Sequence, residues 1–193
     1  MLQEKLKNNQ LILASGSPRR QQFLRDLGLE FSIELKPVEE VYPPELKGAE
    51  VAEYLAKLKT TPFKNKLKAN EILITGDTIV CLESEVLGKP KNKTEAKKML
   101  QSLSNRSHEV ISSVCLTSTK KQIVFHDSTK VYFKKLSESE IDFYIDNYKP
   151  FDKAGAYGIQ EWIGNIGVTK IEGSYVNVMG MPLHLLYKNL LEF

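Results

Sequence analysis

Apolar positions recur along the chain in two rhythms. Continuous or alternating apolar runs at 11–14, 31–36, 71–75, 79–82, 85–87, 109–117, 122–133, 168–171 and 174–178 predict strands. Spacings of three and four predict helices at 50–59 and 94–103, the second with Ala96, Met99, Leu100 and Leu103 on one face. A third helix starts at Pro18, with Ser17 as its cap, Phe23, Leu24 and Leu27 on its apolar face, and Gly28 at its end. Ser137 and Glu140 form a capping box ahead of a helix to about Tyr148, and a last helix starts near Pro182. Glu83-Ser84 and Thr119–Lys121 mark turns, Asn105 closes a helix, and 152–167 reads as a glycine-containing loop. Strands and helices interleave without strict alternation. The predicted fold class is therefore α/β, a mixed sheet flanked by helices, as one domain over 1–193.

Composition narrows the partners. With 41% apolar residues and a net charge of +3 spread evenly, the chain reads as globular, without the basic stripe of a nucleic-acid protein. Cys81 and Cys115 lie in apolar runs and are expected as buried free thiols in a reducing compartment. The first ten residues have no apolar core of a signal peptide, and no run has membrane-spanning length. The expectation is a cytoplasmic protein with no membrane partner. His108, His126 and His184 lack zinc-like spacing and are read as structural or surface residues.

Five stretches carry candidate chemistry. Arg19 and Arg20 fall in the first turn of a helix reached through Ser15-Gly16-Ser17. Cations there oppose the helix dipole, which makes sense if a polyphosphate binds the helix start and the arginines close on it. In TGDT (75–78), Asp77 follows a buried run and could bind a hard cation, accept a proton from water, or simply end the strand in an Asx turn. In LGKP (87–90), Gly88 and Pro90 would fix the backbone around Lys89, a point charge for phosphate or a plain turn lysine; Lys59, near a helix end, is similar. Of Glu39-Glu40, one carboxylate could join Asp77 around Mg²⁺ or Mn²⁺, or both could be solvated. In DKAGAYGIQ (152–160), beginning Asp152-Lys153, small residues let backbone approach a flat ligand, Tyr157 could stack, and Gln160 suits a base edge. Trp162 reads as core or rim. Together these suggest a nucleoside triphosphate with a divalent metal.

In order, ASGSPRR, VEE, LAKLK, TGDTIV, EVLGKP, SHEV, DKAGAYGIQ and GSYVNVMGMPL resemble the Maf family of nucleoside triphosphate pyrophosphatases, from about residue 11 to the C-terminus. The resemblance implies an elongated mixed sheet with a central cleft, akin to inosine triphosphate pyrophosphatases. It implies cleavage between the α and β phosphates with Mg²⁺ or Mn²⁺, Asp77 as proton acceptor and metal ligand beside Glu40, and Arg19, Thr78 and Gln160 setting substrate choice. It also implies polar cleft roles for Ser15, Arg20, Glu40, Lys59 and Lys89, and a homodimer; Ser17, Asp152 and Lys153 are read as further phosphate- or cleft-binding candidates. The DKAGAYGIQ form resembles the branch acting on dTTP and UTP. Departures are Gly76 before the aspartate, Glu161 where a glycine usually follows the IQ pair, and SNRSHEV in place of a glycine-containing form. Alternatives on the same resemblance are a nucleotide-binding regulator of septum formation and a pyrophosphatase for purine triphosphates such as ITP.

Overall fold

The computed structural model describes residues 1–193. The first half holds α1 (Leu2–Leu6), β1 (Gln10–Leu13), α2 (Pro18–Asp26), β2 (Phe31–Ile33), α3 (Ala49–Leu58), β3 (Glu71–Leu82), β4 (Glu85–Leu87) and α4 (Lys93–Leu103). The second holds β5 (Ser107–Thr117), β6 (Gln122–Phe133), α5 (Glu138–Tyr148), α6 (Trp162–Gly167), β7 (Val168–Glu172), α7 (Tyr175–Val178) and α8 (Leu183–Glu192). The strands form one sheet in the order β2-β1-β3-β5-β6-β7, with β4 pairing to β3. β1 runs parallel to β2 and β3, whereas β4 on β3 and β7 on β6 are antiparallel. The sheet is thus mixed and flanked by helices, as the patterning predicts.

Five predicted elements differ. The runs at 71–75 and 79–82 are one strand, so Asp77 lies within β3 and not at its end. Gly76 does not interrupt it: a Cβ there would stand 2.7 Å from the Ser113 carbonyl oxygen, so the bare backbone lets the chains approach. The run at 174–178 is not a strand but α7. Ser174 Oγ accepts from Asn177 N, and Asn177 Nδ2 donates to Val110 O and Thr129 Oγ1, a cap and a tertiary grip that outweigh the β-branched composition. The loop at 152–167 contains a 3-10 turn, Ala154–Ala156, and α6. β2 ends at Ile33, and α1 was not expected. No helix is long and apolar enough to cross a membrane.

The chain divides into two compact units. The first comprises 1–77, 112–127 and 180–193; the second 78–111 and 128–179. In the first, α1 packs on α8. Ser113 Oγ and Thr75 Oγ1 donate to the carbonyls of Ala52 and Ala56 at 2.5 and 2.7 Å, tying α3 to buried strand positions. In the second, Val80, Leu100, Ile141, Tyr144 and Ile163 are among the fully enclosed core side chains. Cys81 and Cys115 are free and buried, and burial followed by Glu109 pushes the Cys81 thiol up to about 11.

His108 is buried in the second unit, with Nε2 2.6 Å from the Tyr157 hydroxyl and no partner for Nδ1. Desolvation lowers its pKa to about 4. A histidine depressed in the folded state contributes stability above its unfolded pKa and loses it as pH falls toward the folded value. Unfolding free energy is therefore expected to drop by about 2 kcal/mol from this group between pH 7 and pH 5. Urea titrations at the two pH values check this, and His108→Gln should flatten the dependence. His126 meets Glu53 at 2.8 Å and His184 is exposed, so His108 is structural and the other two lie at the surface.

Candidate active site

In the first unit, β1 and β3 run side by side to Leu13 and Ile74, and Ala14 N still donates to Ile74 O. Beyond that point β1 gives way to the turn at 15–17 while β3 continues. The carboxyl end of a parallel strand, followed by a helix N-terminus, is where α/β sheets present groups to ligands. Ser17 caps α2 by accepting from Arg20 N, Pro18 takes the first helical position, and Ser15 Oγ accepts from Ser17 N at 3.3 Å.

Arg20 departs from the expected phosphate clamp in one respect: much of its guanidinium serves the fold. Nε donates to Gly180 O at 2.9 Å, and Nη1 donates to Gly76 O at 2.8 Å and Ser15 Oγ at 3.4 Å. Burial lowers its pKa; Asp77 raises it, Arg19 lowers it and Glu40 raises it. Arg19 is half-buried in the same first turn.

Period two along β3 and period three along the helix explain the next cluster. Thr75 and Asp77 share one face of the strand, and Ala56 and Lys59 share one face of α3 and its C-terminal cap. Thr75 binds Ala56, and one step on, Lys59 Nζ donates to Asp77 Oδ1 at 2.6 Å. Lys59 also meets Glu40 Oε1 at 3.2 Å, from the irregular segment after β2. Asp77 is buried and Glu40 exposed. The two carboxylates predicted to share a metal thus face a common cation, the Lys59 ammonium. No group of three His, Cys, Asp or Glu side chains is placed to hold a metal. Two carboxylates nevertheless suit a hard cation such as Mg²⁺, which takes few protein oxygens and completes its shell with water and phosphate.

In the second unit, Thr78 is half-buried on β3 and Lys89 is exposed. Gly88 does not fix the turn by its own conformation, because a Cβ there would touch nothing. The turn is held instead by Gly88 O, which accepts from Gly155 N at 3.1 Å, and this brings LGKP and DKAGAYGIQ together. Gly155 itself needs its missing side chain: its φ is +66°, and a Cβ would lie 3.0 Å from Val80 Cγ2. Tyr157 is buried against His108 and Phe133, so it packs the core and is not presented for stacking on a ligand. Lys153 is buried, pairing with Asp152 Oδ1 at 2.7 Å and Glu161 Oε1 at 3.1 Å. Gln160 is half-buried, and Trp162 opens α6 at the rim, its ring 4.8 Å from Phe143.

Within the first unit the structure gathers Ser15, Ser17, Arg20, Glu40, Lys59 and Asp77, and within the second it joins the Lys89 turn to the loop bearing Asp152, Lys153 and Gln160. The Lys153–Glu161–Tyr144 contacts escaped sequence reasoning. Their only signal was a carboxylate where a glycine is usual.

The chain matches the family described as Maf-like protein over residues 10–193. It is 58% identical to the dTTP/UTP pyrophosphatase of Flavobacterium johnsoniae over 98% of each chain. It is 57% identical to the dTTP/UTP pyrophosphatase of Christiangramia forsetii, over 100% of this chain and 98% of that one. Among solved structures, the Staphylococcus aureus Ham1 protein aligns with a TM-score of 0.48 at 17% identity, covering 65% of this chain and 72% of that one.

Proposed function

The chain belongs to the Maf family, and from that premise we propose that it is a nucleoside triphosphate pyrophosphatase acting on dTTP and UTP. The products are the nucleoside monophosphate and pyrophosphate, and the role is house-cleaning of nucleotide pools. The observation that carries the reading is the buried Asp77 carboxylate gripped at one oxygen by Lys59, with Glu40 on the same cation.

Lys59 engages Asp77 Oδ1 and so fixes the carboxylate plane, leaving Oδ2 to take the proton of an attacking water. The water oxygen bonds to a phosphorus flanking the α–β bridging oxygen, the bond from that phosphorus to the bridge breaks, and pyrophosphate departs. On the family resemblance, Arg19, the α2 N-terminus with Ser15 and Ser17, Lys59 and Lys89 would neutralise the phosphate charge as it grows. Asp152 and Lys153 hold the loop that carries Gln160, and Arg19, Thr78 and Gln160 discriminate the substrate. Glu40 and Asp77 would hold Mg²⁺ or Mn²⁺, which when bound supplies neutralisation of phosphate charge. A homodimer is proposed with this reading on the family resemblance. A cytoplasmic location is proposed on the two free buried thiols.

Pyrophosphate release from a panel of nucleoside triphosphates with Mg²⁺ or Mn²⁺ tests the proposal. Release from dTTP and UTP ahead of purine triphosphates is expected; preference for ITP would overturn the base assignment, and binding without release would overturn the enzyme. Lys89→Ala is expected to lower kcat about tenfold with little change in KM, since its charge counts most when the phosphates are most negative. Steady-state kinetics on the preferred triphosphate would show it, and an unchanged kcat would remove Lys89 from the chemistry.

A further inference from the structure

The turn that carries Gln160 is gripped from every side but one. Glu161 N donates to Gly158 O at 3.0 Å, closing residues 158–161 as a β-turn with Gln160 in its third position. Gly158 N donates to the Tyr144 hydroxyl at 3.0 Å. That hydroxyl in turn donates to Glu161 Oε2, and the other oxygen, Oε1, takes Lys153 at 3.1 Å. Lys153 is itself buried, so the ion pair spans the loop and ties its start to its end. Burial, then the bond to Glu161, raises the Tyr144 pKa well above its ordinary value, which keeps the phenol a donor. Close packing completes the grip: a Cβ on Gly164 would fall 1.9 Å from Ile159 O, and one on Gly158 would fall 2.8 Å from Glu161 Cδ. Only the half-buried Gln160 side chain stands outside these restraints.

We propose that Glu161 is a positioning residue for substrate discrimination: clamped by Tyr144 and Lys153, its carboxylate holds the 158–161 turn so that Gln160 presents its amide to the nucleobase in one orientation. This rests on the reading that Gln160 meets the base. A glycine at 161 would lack the clamp, so here the carboxylate does work that the backbone alone would otherwise have to do.

The test compares wild type, Glu161→Ala, Glu161→Gln and Tyr144→Phe. The readout is the ratio of kcat/KM for the triphosphate that wild type prefers to that for the one it uses least. The chain's one tryptophan is Trp162, next to Glu161, so acrylamide quenching of its emission reports the looseness of the turn. Glu161→Ala should lower the ratio about tenfold, chiefly through KM of the preferred substrate, with Trp162 more readily quenched. Glu161→Gln keeps an oxygen for the Tyr144 hydroxyl but loses the Lys153 ion pair, and should lower the ratio by less than Glu161→Ala. If Glu161→Ala does not fold, Tyr144→Phe takes its place with the same expectation. An unchanged ratio, whatever the change in melting temperature, overturns the proposal. A wild-type preference for purines would sink the dTTP/UTP reading and leave this comparison intact. Were no triphosphate turned over, the same ratio taken from binding, read by Trp162 emission, would decide it.

Discussion

Asp77→Asn is expected to lower pyrophosphate release by about a thousandfold while leaving the melting temperature almost unchanged. The amide has the same shape as the carboxylate, and its oxygen still accepts from Lys59 Nζ, so β3 and α3 keep their contact. What it cannot do is take a proton from water. It also removes a negative charge that raises the pKa of the neighbouring Arg20, which stays charged and keeps its bonds to Gly76 O, Gly180 O and Ser15 Oγ. Rates should fall in kcat with KM little altered, because the lost interaction forms as the water gives up its proton. Turnover within a factor of about ten of wild type would move the proton acceptor elsewhere, since general-base contributions are usually larger than that. A collapsed melting curve would show that the Asp77–Lys59 pair holds the fold instead.

Arg20→Met is expected to destabilise the protein by about 4 kcal/mol, measured by urea unfolding. The guanidinium joins three segments far apart in the chain: the turn at Ser15, the middle of β3 at Gly76 and the segment before α8 at Gly180. Methionine fills part of the volume but makes none of the guanidinium's bonds to the Gly76 and Gly180 carbonyls in this half-buried site. Bonds from a charged donor contribute more than neutral ones, and a stranded acceptor costs its desolvation. Arg20→Lys should recover only part of the loss, because an ammonium cannot reproduce a planar fork aimed at separate acceptors. If Arg20→Met unfolds within about 1 kcal/mol of wild type, the three bonds are incidental and Arg20 is available for phosphate alone.

Arg20 also illustrates what could be read early. That a cation in the first turn of α2 needs a reason follows from sequence and the helix dipole. The expected reason was a phosphate. The structure adds a second, three backbone and side-chain oxygens within the same unit. Lys59 was the opposite case. The LAKLK motif marks it for a polar cleft role, but nothing within its own segment says which carboxylate it meets. Its partner Asp77 lies eighteen residues on, and the pairing exists because α3 packs on the face of β3 that carries Thr75 and Asp77. Glu161 was visible only as an unusual residue; its purpose depends on Tyr144 and Lys153, brought from α5 and the start of the loop.

The sequence by itself determined what nearest neighbours decide. Capping by Ser17 and Ser137, the helix faces and the hairpin turn at 83–84 all follow from side chains acting on backbone within a few residues. The motif series determined the family. Tertiary structure alone decided that 71–82 is one unbroken strand, that 174–178 winds into a helix, that Tyr157 belongs to the core, and which cation meets which carboxylate. The reason is physical. Hydrogen-bonding and steric rules for backbone are local, so they are written within a segment. Ion pairs, buried hydroxyls and close backbone approaches are made by groups distant in the chain, and their energies appear only once packing has excluded water and brought the partners within about 3 Å.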